Sequence, residues 1–196
     1  MQPYQVRRAA IILLGVILLV FIAVQGVRWL GRLGSGGDNL PAETQTALID
    51  YAQINSSVRL VYTGPVEARE DYDQIRMTIT PTQRRIEIVS GYGENVKKRQ
   101  FLANDSQAYG VFLRALQVNG FIEEQSGQYG DDERGVCFKG QRIVGEVFES
   151  GQSTKRLWAA SCSKKLGTMK AYWRDILKLF QDQFPDYKEF TQDVDF

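Results

Sequence analysis

The sequence predicts an α+β protein: one N-terminal transmembrane helix, then a mostly antiparallel sheet packed with about three helices. Three observations carry this. Residues 9–27 (AAIILLGVILLVFIAVQGV) form an apolar run without a charge. Beyond residue 40, alternating strand-like runs come in groups between helical runs rather than one by one, which is the pattern of an α+β domain. The helical runs carry apolar residues at i, i+3, i+4 and i+7, the spacing of one buried helix face.

The apolar run sets the predicted domain plan: a tail over 1–8, an anchor over 9–30, a Gly/Ser-rich linker over 31–40 and one globular domain over 41–196. Nineteen residues of helix span about 28 Å, close to the ~30 Å hydrocarbon core of a bilayer. A helix also pairs every backbone polar group within its own segment, as that core demands. A cleavable signal peptide has a shorter apolar stretch of ~7–15 residues and small residues before its cut. Here Ala23-Val24-Gln25 puts glutamine where a small residue belongs, and no lipid-accepting cysteine precedes Cys137. Arg7 and Arg8 precede the run, and Arg28, Trp29 and Arg32 follow it. Those five residues are expected at the membrane interface, where an indole and snorkelling guanidiniums meet headgroups. The basic tail and the even cysteine count of the domain favour an N-terminus inside and a C-terminal domain outside the cytoplasmic membrane. The linker stretch GRLGSGGDN (31–39) is flexible, with a reach of roughly 15–20 Å, so the domain works near the bilayer surface.

Within the domain, Asn39-Leu40-Pro41 opens a predicted helix over 42–53, with Ala47, Leu48, Tyr51 and Ala52 on one face. Alternation predicts strands over 57–62 (Val58, Leu60, Tyr62 inward), 74–80 (Ile75, Met77, Ile79) and 85–89 (Ile86, Ile88). Thr63-Gly64-Pro65, Pro81-Thr82-Gln83 and Gly91-Tyr92-Gly93 are the breaks between these runs, and 96–102 adds a further strand. Asn104 is the expected N-cap of the next helix, with Gln107 closing a capping box. Its expected buried face is Ala108, Val111, Phe112, Ala115 and Leu116, and Gly120 is the expected C-cap. After a polar stretch over 123–133, strands are predicted over 135–138, 142–149 and 155–161. Thr168 is the expected cap of a last helix running to Phe184, with Tyr172, Ile176, Leu179 and Phe180 inward and Pro185 ending it. Trp158, Trp173, Phe180, Phe184 and Tyr187 read as core.

The composition removes whole classes of chemistry. The chain has no histidine and a net charge of +1. The first fact takes away the commonest general base, the usual triads and most transition-metal sites. The second leaves no field that would select nucleic acid. No catalytic, cofactor-binding or metal-ligating residue is therefore expected. The one carboxylate cluster is Glu67, Glu70, Asp71 and Asp73. Its spacing fits no calcium loop, so it reads first as a solvated loop between strands. Gly91-x-Gly93 ahead of Lys97, Lys98 and Arg99 imitates a phosphate loop but lacks the third glycine and the following helix, so it reads as a turn and a charged strand edge.

Cys137 and Cys162 are the two cysteines. In a regular meander their strands would flank 142–149, about 10 Å apart, beyond the ~7 Å limit for a disulfide. A reversal at Lys139-Gly140-Gln141 brings them together at the strand end. The pair is expected to be bonded in an extracytoplasmic domain, and in a cytosolic one to pack as two free thiols.

The helix Asn104…Ala108-Tyr109…Phe112-Leu113…Leu116…Gly120-Phe121, then Trp158…Ser161-Cys162, then Gln183-Phe184-Pro185-Asp186-Tyr187 resembles uncharacterised single-pass membrane-anchored proteins of ultrasmall, host-attached bacteria. The resemblance spans most of residues 50–190. It implies a bacterial envelope setting and assigns no activity to any residue. The expected function is a membrane-tethered extracytoplasmic binding or envelope-assembly module without catalytic activity. Its partners are the lipid bilayer through 9–30 and an envelope protein or glycan. The competing class is an envelope hydrolase using carboxylates of the 67–73 loop, which a cleft joining that loop to Asp131, Asp132 or Glu133, with a raised carboxylate pKa, would favour.

Overall fold

A computed structural model describes residues 47–53, 55–68, 71–93, 95–194 and 196. The chain divides into Met1–Gln45 and Thr46–Phe196, and the second unit is described by itself. The anchor and linker segments, with Arg7, Arg8, Arg28, Trp29 and Arg32, lie outside the described residues, and so does Glu70. Among the described residues no helix is long and apolar enough to cross a membrane.

The unit is α+β. Six strands form one antiparallel sheet: β1 (Ser56–Thr63), β2 (Asp73–Ile79), β3 (Gln83–Ser90), β4 (Asn95–Ala103), β5 (Arg142–Glu149) and β6 (Gln152–Ala160). Their spatial order is β4-β3-β2-β1-β5-β6. β1 is thus central, paired with β2 through Leu60↔Met77 and with β5 through Leu60↔Gly145. A 3₁₀ segment (Leu48–Gln53) and three α-helices are described: α1 (Ser106–Val118), α2 (Trp173–Gln181) and α3 (Tyr187–Phe190).

Alternation decides which face the helices cover. Val58, Leu60 and Tyr62 of β1, Ile75, Met77 and Ile79 of β2, and Ile86 and Ile88 of β3 are buried on one side, as their period of two dictates. Against them pack Leu48, Tyr109, Phe112, Leu113 and Leu116, then Trp173, Ile176 and Phe180. Phe112 and Phe180 meet edge to face at 5.1 Å, which joins α1 to α2 across the core.

Several expectations shift by a residue or two, each for a physical reason. The N-cap of α1 is Asp105, whose carboxylate accepts from the Ala108 N–H at 2.8 Å. Asn104 is engaged elsewhere, its amide donating to the Thr80 carbonyl in the β2–β3 turn. The capping box with Gln107 is therefore absent. The buried face of α1 is Tyr109, Phe112, Leu113 and Leu116, while Val111 is 67% exposed. Gly120 does end the helix: at φ +74° it lets its own N–H reach Gln117 O and the Phe121 N–H reach Leu116 O, the double bond of a Schellman cap. Thr168 is not a helix cap. It is buried, its hydroxyl oxygen accepts from the Trp158 N–H, and α2 starts at Trp173 after Tyr172. α2 buries Trp173, Ile176, Leu177 and Phe180, and it ends at Gln181, before Phe184.

The strand expected over 135–138 is a series of turns. Gly135 (φ 71°) and Cys137 (φ 55°) are both left-handed, which an extended strand does not permit. The turn between β5 and β6 is shorter than expected, only Ser150 and Gly151, both with φ > 0 as a type I′ hairpin requires.

Candidate binding cleft on the open face of the sheet

The antiparallel order sends one end of all six strands to the same rim. The β1–β2 loop, the β3–β4 turn, the 133–141 segment and the chain leaving β6 all meet there. Cys137 and Cys162 are bonded to each other at this rim, with Cα atoms 5.8 Å apart, and hold the 133–141 segment against the end of β6. The reversal is at Gly140: its N–H donates to Cys137 O, and the Ser161 N–H donates to Gln141 O. The Val66 N–H donates to Phe138 O at 2.7 Å, tying the β1–β2 loop to the same segment. Under the segment, Trp158, Ala160 and Val136 form a second, small core on the side of the sheet opposite the helices. The Trp158 indole donates to Gly130 O.

Among the described residues, only the β5–β6 side of that face is roofed in this way. Between the roof and the Val66–Tyr72 side lies a cleft of about 530 Å³, floored by Val61, Val144, Thr63 and Gln74 and walled by Tyr72, Tyr92, Arg142 and the 133–135 turn. Tyr92 stacks on Tyr72 with centroids 4.3 Å apart and donates its hydroxyl to Glu67 O. It is 51% exposed and sits at φ 60° between Gly91 and Gly93, which are also left-handed. A non-glycine residue there is held against its own preference, and such positions gather at ligand-contacting sites. The Gly-x-Gly stretch is thus the hairpin turn expected from sequence, and its middle residue is a cleft wall.

Arg142 organises the cleft. It is only 6% exposed, and its guanidinium donates to Glu133 O, Val136 O and the Tyr72 hydroxyl. Its Nε has no partner, and among the described residues no carboxylate lies within ion-pair distance of it. Such a buried cation is costly without a counter-charge.

Beyond the cleft the same face continues as a lattice of guanidiniums. Register places Val61, Arg76, Glu87 and Arg99 side by side on four strands, and Arg59, Thr78, Arg85 and Phe101 side by side in the next row. Glu87 is 2% exposed and pairs with Arg99 at 2.6 Å, Arg85 at 3.4 Å and Arg76 at 4.0 Å. Glu146 accepts from Arg59 at 2.6 Å, and that guanidinium also lies 4.5 Å from the Phe148 ring. Burial first, and Arg59 next, lower Arg76 below the ordinary guanidinium range.

The acidic loop is elsewhere. Glu67, Asp71 and Asp73 line a separate cavity of about 310 Å³ with Lys97, Asp193 and Phe196, and Asp73 is paired with Lys97 at 2.8 Å. Among the described residues no three carboxylates or cysteines are grouped to hold a metal ion. Glu133 lines the other cleft and pairs with Arg156, and the Arg134 fork holds the Asp132 carboxyl down at about 2. Among the described residues, Glu67, Asp71 and Asp73 thus line one cavity and Glu133 the other. Sequence reasoning missed Tyr72, Arg142, Arg59, Arg76 and Arg85, and read Tyr92 and Arg99 only as a turn residue and a strand-edge charge. The signal within reach was the alternation itself: the outward positions of β1, β2 and β3 are Arg59, Arg76, Arg85 and Glu87.

The fold and the site together define a single-sheet α+β domain with a disulfide-clasped, loop-rimmed cleft beside a basic lattice. The chain matches no known family model and no curated protein.

Proposed function

We propose that this protein is a membrane-tethered, extracytoplasmic binding or envelope-assembly module that acts without catalysis. In this reading a single-pass signal-anchor helix over 9–30 crosses the cytoplasmic membrane with its N-terminus inside, and the domain holds an envelope protein or glycan at the open-face cleft. The observation that carries the reading is the Cys137–Cys162 disulfide. Disulfides persist in oxidising compartments, and this one clasps a cleft wall. The apolar run 9–27 and its flanking Arg7, Arg8, Arg28, Trp29 and Arg32 support the tether. The resemblance to single-pass proteins of host-attached bacteria supports an envelope setting. A cleft with an aromatic wall, an apolar floor and a few fixed polar groups is suited to holding a ligand.

Protease added to spheroplasts is expected to digest residues 40–196 and leave the anchor. Protection until lysis reverses the orientation. The non-catalytic part is tested by turnover. An envelope-extract assay in which the protein cleaves a glycan, peptide or lipid headgroup, and in which the Glu67→Gln, Glu70→Gln, Asp71→Asn, Asp73→Asn variant does not, establishes the hydrolase instead.

A further inference from the structure

We propose that the open face of the sheet binds an acidic polysaccharide, one whose sugars carry carboxylates, with a sugar ring against Tyr92 and the carboxylates on the arginine lattice. This rests on the reading of the domain as a binding module outside the cytoplasmic membrane.

Residues 47–196 carry 20 Lys and Arg against 21 Asp and Glu, so the domain as a whole offers no attraction to anions. The open face departs from that balance. Arg59, Arg76, Arg85, Arg99 and Arg142 stand on it, and its carboxylates within reach of them are Glu87 and Glu146. Excess positive charge is held on one face of a nearly neutral domain, which is a complement for an anion and a cost without one.

Unmet hydrogen-bond capacity coincides with the charge. Arg76 Nε, Thr78 Oγ1 and Arg142 Nε are buried without a hydrogen-bond partner, and all three belong to this face. Arg142 lines the cleft itself. A planar guanidinium recognises a carboxylate by two parallel bonds, which makes arginine rather than lysine the residue suited to this ligand. The lysines preceding Arg99 are engaged elsewhere, Lys97 by Asp73 and Lys98 by the Phe190 carbonyl.

Geometry favours a polymer with regularly spaced charges. Arg76 and Arg99 lie in one cross-strand row, separated by Glu87, and Arg59 and Arg85 lie in the next, separated by Thr78. Two strand spacings put each pair about 10 Å apart. The same separation recurs in both rows because the sheet imposes it. An extended acidic polysaccharide, with ionised sugars at regular intervals, presents anions in such a row.

Tyr92 discriminates a sugar from an acidic peptide. Its ring is half exposed at the cleft mouth, braced from behind by Tyr72 and locked through its hydroxyl to Glu67 O. A rigid, exposed aromatic face beside fixed cations suits the flat apolar face of a pyranose. Gln74 and Thr63 on the floor supply neutral hydrogen-bonding groups for its hydroxyls.

The full chain in non-ionic detergent micelles is tested on immobilised polygalacturonate, its full methyl ester, and polyglutamate. Retention on polygalacturonate alone is the expected result. Equal retention on the methyl ester overturns the role of the guanidiniums, and equal retention on polyglutamate overturns the glycan in favour of an acidic peptide. No retention on polygalacturonate overturns the proposal, while protease access in spheroplasts reports separately on the tethered, external placement. Arg76→Gln is expected to weaken binding about tenfold, as for one lost charge-assisted bond. Tyr92→Asn, which tolerates the positive φ, is expected to weaken it about fivefold. Glu146→Gln frees Arg59 and is expected to tighten binding roughly threefold, a gain that misfolding does not produce. Unchanged affinity in all three variants overturns the site.

Discussion

The two faces of one sheet use the same backbone for opposite ends. On the helix-covered face, Val58, Leu60, Met77, Ile79 and Ile86 are fully buried and make no polar contact beyond the ladder. One residue along each strand, the other face carries Arg59, Arg76, Arg85 and Glu87, organised by register into rows of ion pairs. The covered face gains its stability from burial, at about 25 cal/mol per Å² of apolar surface. The open face gains little from its ion pairs, because Glu87 and Glu146 are themselves buried and their desolvation offsets most of the attraction. A surface that returns so little stability and still holds four arginines around two glutamates, with Arg142 beside them, is organised for contact. The comparison also separates two ways of covering a sheet. Helices close one side through a continuous core, whereas a disulfide-clasped loop closes only the β5–β6 edge of the other.

Neighbours on β1 give the sharpest test. Leu60→Ala is expected to cost about 2–5 kcal/mol, the range for emptying a buried leucine site. Arg59→Met, one residue away, combined with Glu146→Gln, removes the pair without stranding a buried carboxylate and is expected to cost less than about 1 kcal/mol. Denaturant titration measures both, and equal costs would break the distinction between the faces.

The clasp comes next. The disulfide closes a 25-residue separation, so Cys137→Ala combined with Cys162→Ala is expected to lower stability by about 3 kcal/mol. Hydrogen exchange in that variant is expected to rise first in 133–141 and around Trp158. Uniform loss of protection through α1 would show that the two cores are one cooperative unit. Thiol labelling of the denatured, unreduced protein is expected to find no free thiol.

A smaller effect tests close packing on the covered face. A methyl group at Gly145 would come within 2.5 Å of the Phe121 ring and 2.9 Å of Met169. Gly145→Ala is expected to cost roughly 1–3 kcal/mol, as overpacking does. A neutral result in thermal unfolding would mean that this side yields as readily as the open one.

The smallest effect is at the cleft rim. The Arg134 side-chain and backbone bonds hold Asp132 near 2 against an ordinary 3.8. A depressed carboxylate contributes stability that is present above its unfolded value and lost as pH falls through the folded one. The contact is therefore expected to persist at pH 4 and to open between about pH 3.8 and 2. An NMR titration of the Asp132 carboxyl reads this directly, and a midpoint near 3.8 would show that the pair does not form.

Much of the covered face was legible because alternation and burial are the same statement in a strand. Val58-x-Leu60-x-Tyr62 and Ile75-x-Met77-x-Ile79 could serve only one side of a sheet. What escaped was decided by partners distant in sequence. Asn104 and Asp105 are equally good caps, and the Thr80 carbonyl claims the first. Thr168 looks like a cap until the Trp158 N–H is known to need an acceptor. Cys137 lies in a run that reads as a strand, yet its φ of 55° belongs to a turn. On α1, alanines and Val111 offered a plausible stripe, but the larger Tyr109 and Leu113 filled the space against the sheet.

The sequence by itself determined the α+β class, the antiparallel runs and the core residues of β1–β3, because each follows from local periodicity or turn chemistry, while the closeness of the two cysteines depended on a reversal that the tertiary structure supplies. It also removed histidine chemistry by composition alone. Only the tertiary structure decided that β5 pairs with β1, that all the rim loops share one end, and that Tyr72, Tyr92 and Arg142 enclose one cleft. Outward-facing residues carry no hydrophobic signal, so their neighbours are set by strand order and register, which are non-local by nature.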